Sequence, residues 1–377
     1  MRADAVVVGL GGFGSMTLWR LARRGLDVVG VEQYRAGHTF GSSDGATRLF
    51  RLACLEHPGL VPLAEESRRL WRELERETGT DLLHKSGGLM VGPETGRAIA
   101  GTRAAARSAG LSLTELDIGE LRSRYPQHAG LGDHYVGLWD AEAGILRPEA
   151  AVLTALSTAR RAGARVLDGV SVEAIQPDTT GVRVVTPTGV IEADQVVVTA
   201  GPWLTKLVPD LYTQPRRVPQ LWFESRDDPE AFTLGRFPVF IRHYDDEHTI
   251  WGHGATLGEP TKVGLSLRPE NLHPVDPDTM ERGVSPSTDW ELLASVLEKA
   301  IPGLDPTPAK ARPCMVTDSA DQQFLVGRLA RSERVVVAGG CSGHGFKHAS
   351  GVGEAVARGV LGEEPFADLT FLDPNRS

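Results

Sequence analysis

Hydrophobic and polar positions alternate along this chain in two rhythms. Ala5-Val6-Val7-Val8 and 28–31 are unbroken apolar runs, as expected of strands buried on both faces. Between them Leu18, Leu21 and Ala22 recur at helical spacing and Gly25 supplies a stop, so the three pieces predict a βαβ unit. Leu63, Leu70, Trp71 and Leu74 predict one face of a charged helix. Pro148 holds a first-turn position ahead of a helix carrying Val152, Ala155, Leu156 and Ala159; Gly163 ends it, and Arg165-Val166-Leu167 begins another strand. Segments 181–186, 189–192 and 195–198 predict a meander turning at Pro187-Thr188-Gly189, with Pro202 closing a strand that runs to Gly201. From about 216 to 306 prolines and acidic turns separate short aromatic-rich strands such as 237–243, and a helix with Leu293, Val296, Leu297 and Ala300 follows. A buried strand returns at 334–338, then a glycine-rich turn and a helix near 352–360.

Buried strands at both ends and in the middle predict one α/β domain, Rossmann-type, assembled from residues 1–81, 146–215 and 307–377. Residues 82–145 and 216–306 would then form an inserted, mostly antiparallel β-sheet domain of α+β character. A length of 377 residues fits two domains.

Composition narrows the function classes. A net charge of −9 with no basic tract argues against nucleic acid as a partner. No apolar run approaches the ~18 residues that would span a bilayer, and no signal-peptide pattern opens the chain. Cys54, Cys314 and Cys341 are too few and too scattered for a disulfide framework, which points to the cytoplasm. No zinc-ligand spacing and no G-x-S-x-G nucleophile motif occurs, so no metal is expected.

The first strand-to-helix turn carries the chemistry. It reads Gly9-Leu10-Gly11-Gly12-Phe13-Gly14, which is G-x-G-x-x-G. Gly9 permits the tight turn, Gly11 lets backbone approach a pyrophosphate, and Gly14 allows helix and strand to pack closely. The helix N-terminus adds partial positive charge. Glu32, at the end of the second strand, is placed to accept from ribose hydroxyls and would repel a 2′-phosphate, which disfavours NADP. Between FAD and NAD, the chain's length, its C-terminal return to the same sheet and the glycine turn at Gly339-Gly340 favour FAD.

Four segments, taken together and in order, resemble the monomeric sarcosine oxidase family, which includes N-methyltryptophan oxidase: the fingerprint, Gly41-Ser42-Ser43-Asp44-Gly45-Ala46-Thr47-Arg48 running on to Arg51, Arg312-Pro313-Cys314-Met315, and Ser342-Gly343-His344-Gly345-Phe346-Lys347 running on to Glu354. The resemblance implies a two-domain, monomeric flavoenzyme that oxidises a secondary amino acid and passes electrons to O2. It implies covalent FAD, attached to Cys314 as an 8α-thioether, with Arg312 nearby favouring the thiolate. It implies a substrate-carboxylate clamp of Arg51 and Lys347, an Arg fork with an added point charge. Thr47 and Arg48 fall beside the flavin, Arg48 placed to stabilise negative charge on it. Lys262 matches the lysine that activates oxygen. Ser42, Gly201, Gly340, Gly343, Gly345, Phe346 and Lys347 join Gly9, Gly11, Gly14 and Glu32 as expected cofactor contacts, and Ile241, His243, Trp251 and Val316 are expected in the substrate pocket. Cys54 and Cys341 read as small buried hydrophobes.

The departures bear on substrate. Val316 stands where a tyrosine is common in the family, Ser266 where a histidine is, and Asp44 where another histidine is. The first two remove bulk and polar contacts, leaving room for an amine larger than sarcosine. Other readings of the same residues are a flavin dehydrogenase with a different electron acceptor, a glycated-amine oxidase, and a non-catalytic dinucleotide sensor. The sensor has no use for a substrate clamp.

Overall fold

The computed structural model describes residues 1–245 and 247–376. Its first sheet has a parallel centre in the order Ser332–Gly339, Gly189–Val198, Arg2–Val8, Val28–Glu32, Arg165–Asp168. Ala174–Pro177 and Val182–Thr186 extend Gly189–Val198 as an antiparallel hairpin, and Leu325–Leu329 lies antiparallel to Ser332–Gly339. The alternation of side chains explains the valine runs. Ala5 and Val7 join a core with helices Gly12–Ala22, Leu60–Thr78, Pro148–Arg161 and Ala349–Leu361, while Val6 and Val8 join a second core with Val29, Val196, Val198 and Val337 on the opposite face.

The predicted βαβ unit and charged helix are present. Two details differ. Residues 189–192 and 195–198 are one strand, Gly189–Val198, because its first half pairs with the hairpin and its second with Ser332–Gly339. That strand ends at Val198, and Pro202 lies within the short 3-10 helix Gly201–Trp203.

The second sheet runs Lys310–Ser319, Thr213–Phe223, Thr261–Ser266, Thr249–His253, Val239–His243, Gly88–Pro93, Tyr135–Asp140, Thr114–Leu116. All its pairings are antiparallel except Val239–His243 with Gly88–Pro93. One face carries Leu221, Phe223, Val263, Ile250 and Phe240 against helix Glu291–Ala300. The other face carries Trp222, Lys262, Trp251 and Ile241. Lys310–Ser319 pairs with Thr213–Phe223 at ten positions, from Thr213↔Ser319 to Trp222↔Lys310. A small third sheet joins Arg48–Phe50, Gly144–Leu146 and Leu83–Lys85. Among the described residues no helix is long and apolar enough to cross a membrane.

One ion cluster ties the first and last helices together. Glu354 accepts from Arg20 Nε at 2.7 Å, Arg24 Nη2 at 2.7 Å and Arg358 Nε at 2.8 Å, with its side chain 2% exposed. Burial alone would raise its pKa, but the Arg24 and Arg358 hydrogen bonds and the Arg20 charge outweigh burial and hold it at about 2. Glu354→Gln leaves three arginines around an uncharged amide, and unfolding titrations are expected to show a loss of about 3 kcal/mol at neutral pH. The folded pKa lies below the unfolded value of 4.5, so this stabilisation is present above pH 4.5 and lost as pH falls toward 2; the gap between wild type and variant narrows over that window.

Candidate active site

The G-x-G-x-x-G turn leaves Arg2–Val8 and enters helix Gly12–Ala22. Gly9 has φ 85°, a left-handed value that favours glycine. A Cβ on Gly14 would lie 1.8 Å from Gly9 O, so only glycine fits there. Glu32 is buried: Oε2 accepts from Leu10 N at 2.8 Å, Oε1 accepts from Tyr34 N at 3.0 Å, and His38 Nε2 lies 3.3 Å away. Burial pushes its carboxyl up, but His38 and the two backbone N–H groups more than compensate, so the group titrates below its ordinary range and carries its charge.

A cleft opens above this turn. Gly9, Gly11, Glu32, Ser42, Gly201, Gly340 and Phe346 line it, together with Ser43, Trp203, Thr317 and Cys341. Ser43 Oγ accepts from Gly12 N at 2.9 Å. The hydroxyls of Ser42 and Thr317 are buried without a hydrogen-bond partner, as expected of groups waiting for a ligand's polar atoms. Phe346 is held in place by near-parallel stacking on Trp71, centroids 6.0 Å apart, and Trp71 Nε1 donates to Lys347 O at 3.2 Å. The glycine turn, a helix N-terminus, a buried acid at the second strand's end and unpartnered hydroxyls fit a dinucleotide such as FAD. Gly343 and Gly345 lie outside this lining, in the loop that carries Phe346 and Lys347.

The face of the second sheet opposite helix Glu291–Ala300 holds six further candidates. Strand register places Cys314 opposite Val218, Val316 opposite Arg216, Lys262 opposite Trp222 and His253, and Trp251 opposite both Ile241 and Gly264. With side chains alternating, Cys314, Val316, Lys262, Trp251, Ile241 and His243 therefore share one face. Ile241 packs on a small apolar cluster of Met90, Ile99 and Leu138.

Lys262 is 2% exposed. Its Nζ donates to Gln220 Oε1 at 2.8 Å and Thr47 O at 3.3 Å, and sits 5.0 Å from the Trp222 ring centroid. Burial, and then the Arg48 charge, hold its ammonium well below the usual lysine range; Cys314, Asp44 and Glu259 pull the other way. Arg48 Nη1 also donates to Gln220 Oε1, at 3.1 Å, and to Thr47 O at 2.8 Å. Gln220 and the Thr47 carbonyl thus hold the Lys262 and Arg48 head groups side by side. His253 Nδ1 donates to Gly254 O at 2.8 Å, so Nε2 accepts from the Thr47 hydroxyl at 2.7 Å. Burial, with the Lys262 charge, keeps this imidazole neutral, its pKa lowered to about 4. Cys314 is buried, and Arg312 reaches toward Asp44, 3.7 Å away.

Arg51 and Lys347 converge, but on a carboxylate of the chain itself. Both nitrogens lie at Glu56 Oε1, with Lys347 Nζ at 3.5 Å. Arg51 Nη1 also donates to Ala53 O and Lys347 Nζ to His344 O. His344 Nε2 donates to Gln322 O at 3.0 Å. Burial lowers the His344 pKa to about 4 and pushes the Cys54 thiol up to about 11, so both stay neutral.

Sequence reading missed Glu56, Gln220, Trp222 and His253. Gln220 carried a usable signal, a lone polar residue at an alternate position in Val218-Pro219-Gln220-Leu221-Trp222. Among the described residues no cluster of His, Cys, Asp or Glu could hold a metal ion.

Known proteins agree with this architecture. A family model described as FAD dependent oxidoreductase matches residues 4–358. A monomeric sarcosine oxidase of Streptomyces avermitilis is 33% identical over 377 residues, covering 99% of this chain and 97% of its own. An N-methyl-L-tryptophan oxidase of Salmonella typhimurium is 31% identical over 370 residues, covering 98% of each. Among solved structures, NikD, an amino acid oxidase essential for nikkomycin biosynthesis, superposes with a TM-score of 0.84 at 24% identity over 99% of this chain and 97% of its own. Glycine oxidase from Geobacillus kaustophilus does so at 0.80 and 20%, over 100% and 99%. The chain belongs to the family of FAD-dependent oxidoreductases.

Proposed function

We propose that this enzyme oxidises a secondary amino acid, N-methyl or cyclic, to an imine, with O2 as electron acceptor and H2O2 as product. One observation carries the reading: Arg51 and Lys347, far apart in the chain, meet at a carboxylate, and Arg51 follows closely on Arg48, which shares the Gln220 side-chain carbonyl with a buried lysine. The curated relatives named for sarcosine and N-methyl-L-tryptophan support it. FAD, when bound, would accept a hydride equivalent and pass two electrons to O2. Arg51 and Lys347 hold the substrate carboxylate, which fixes the amine and the C–H bonds beside it. The cations Arg48, Arg51 and Lys347 disfavour a protonated amine, so the substrate reacts as the neutral base. Lys262, held by Gln220 and the Thr47 carbonyl, provides localised charge where O2 is reduced. Ile241, His243, Trp251 and Val316 bound the side-chain space.

Cofactor contacts are assigned to Gly9, Gly11, Gly14, Glu32, Ser42, Thr47, Arg48, Gly201, Gly340, Gly343, Gly345 and Phe346, with Cys314 as the thioether ligand. The division into a cofactor domain and a substrate domain belongs to the same proposal, and the long ladder with Thr213–Phe223 supports drawing Lys310–Ser319 into the second. So do a cytoplasmic location and a monomeric state. A peroxide-coupled screen of N-methyl and cyclic amino acids, each beside the matching amine without a carboxylate, tests the function. Peroxide is expected to form much faster from the acids than from the decarboxylated amines; equal rates from the two would contradict it. The tether has its own test. Yellow colour is expected to stay with the acid-precipitated wild-type protein and to pass into the supernatant from Cys314→Ala, whereas release from both would remove the thioether.

A further inference from the structure

Glu56 lies on the irregular segment between Arg48–Phe50 and helix Leu60–Thr78, with its side chain 17% exposed. Its Oε1 serves both Arg51 and Lys347, while Oε2 is buried and has no hydrogen-bond partner. The Arg51 and Lys347 charges hold its carboxyl well below the ordinary range in spite of burial, so it remains an anion. Two cations and one carboxylate leave a net charge of one. A second carboxylate entering this cluster would meet a like charge in a desolvated site and would compete for the same guanidinium N–H. Both cannot be held as well as either alone.

We propose that Glu56 is an internal competitor for the substrate's carboxylate: the clamp exchanges Glu56 for the substrate, and Glu56 thereby sets how tightly an acidic substrate is held. This rests on the reading of Arg51 and Lys347 as the substrate clamp. The same segment carries Leu55, which packs on the Met90, Ile99 and Leu138 cluster as Ile241 does. Release of Glu56 therefore loosens a wall of the apolar patch at the moment a substrate arrives, and this couples carboxylate capture to side-chain fit.

The test is calorimetric titration of the holoenzyme with acetate, with acetamide as the uncharged control. Glu56→Gln is expected to bind acetate at least tenfold more tightly than wild type, with acetamide unchanged. Glu56→Asp, which keeps the charge but shortens its reach, is expected to fall between the two, and it serves if the glutamine variant does not fold. Arg51→Met is expected to abolish the acetate signal in the wild-type and Glu56→Gln backgrounds alike. Acetate binding that needs Arg51 but is equal or weaker in a folded Glu56 variant overturns the exchange alone. Acetate binding indifferent to Arg51 overturns the clamp, and the exchange with it.

Discussion

Lys262→Met is expected to slow reoxidation of the reduced enzyme by O2 by about 10²–10³-fold, roughly 2.7–4 kcal/mol of lost charge stabilisation, while anaerobic reduction by substrate changes only a few-fold. The asymmetry follows from where the lysine sits. Its Nζ is bound to Gln220 and Thr47 O, not to the Arg51 and Lys347 pair that would meet substrate. A neutral diatomic molecule has no charge to attract it, so a fixed cation acts only as electrons arrive on it. Methionine fills similar volume without a charge, which limits the damage to packing. Gln220→Leu removes the side-chain acceptor shared by Lys262 and Arg48 and should give a smaller loss in the same half-reaction. Stopped-flow mixing of reduced enzyme with O2 measures both. A Lys262→Met enzyme that reoxidises at the wild-type rate would assign oxygen activation elsewhere.

Arg51→Met should lower kcat/KM for the amino acid by about 10²–10³-fold, in the range found when one partner of a buried charge pair is truncated. Lys347 alone then faces Glu56 and the substrate. The loss should be much smaller for a carboxylate-free amine, which never used the clamp. Steady-state kinetics on the matched pair of substrates separates a lost carboxylate contact from general damage. Equal losses on both would mean that Arg51 holds the fold and not the substrate.

What could be read from the sequence had local causes. The nucleotide turn was legible because glycine spacing, a valine run and a following helical period all lie within about 25 residues. The strand around Ile241 and His243 was legible as a short aromatic-rich run, though not which residues it would face. Thr213–Phe223 was hidden by Pro215 and Pro219, which normally argue against a strand. The structure resolves the conflict. Arg217 N donates to His273 O, away from the ladder with Lys310–Ser319, and the prolines share its parity, so their missing N–H groups fall on that outer side. Glu56 was not legible at all. It lies in an aperiodic segment, and its partner Lys347 is 291 residues away in the chain. Gln220 acquires meaning only once Thr261–Ser266 is seen to pair beside it.

The most direct test of the account is to mix the purified holoenzyme with an N-methyl or cyclic amino acid under anaerobic conditions, follow the flavin's visible absorbance, and then admit O2. The account predicts bleaching by the substrate, full return of the yellow colour on aeration, and one H2O2 formed per flavin reoxidised. Bleaching that O2 reverses only slowly and without peroxide would make the enzyme a dehydrogenase with another acceptor. A protein that takes up FAD but is not bleached by any such amine would contradict the proposed oxidase.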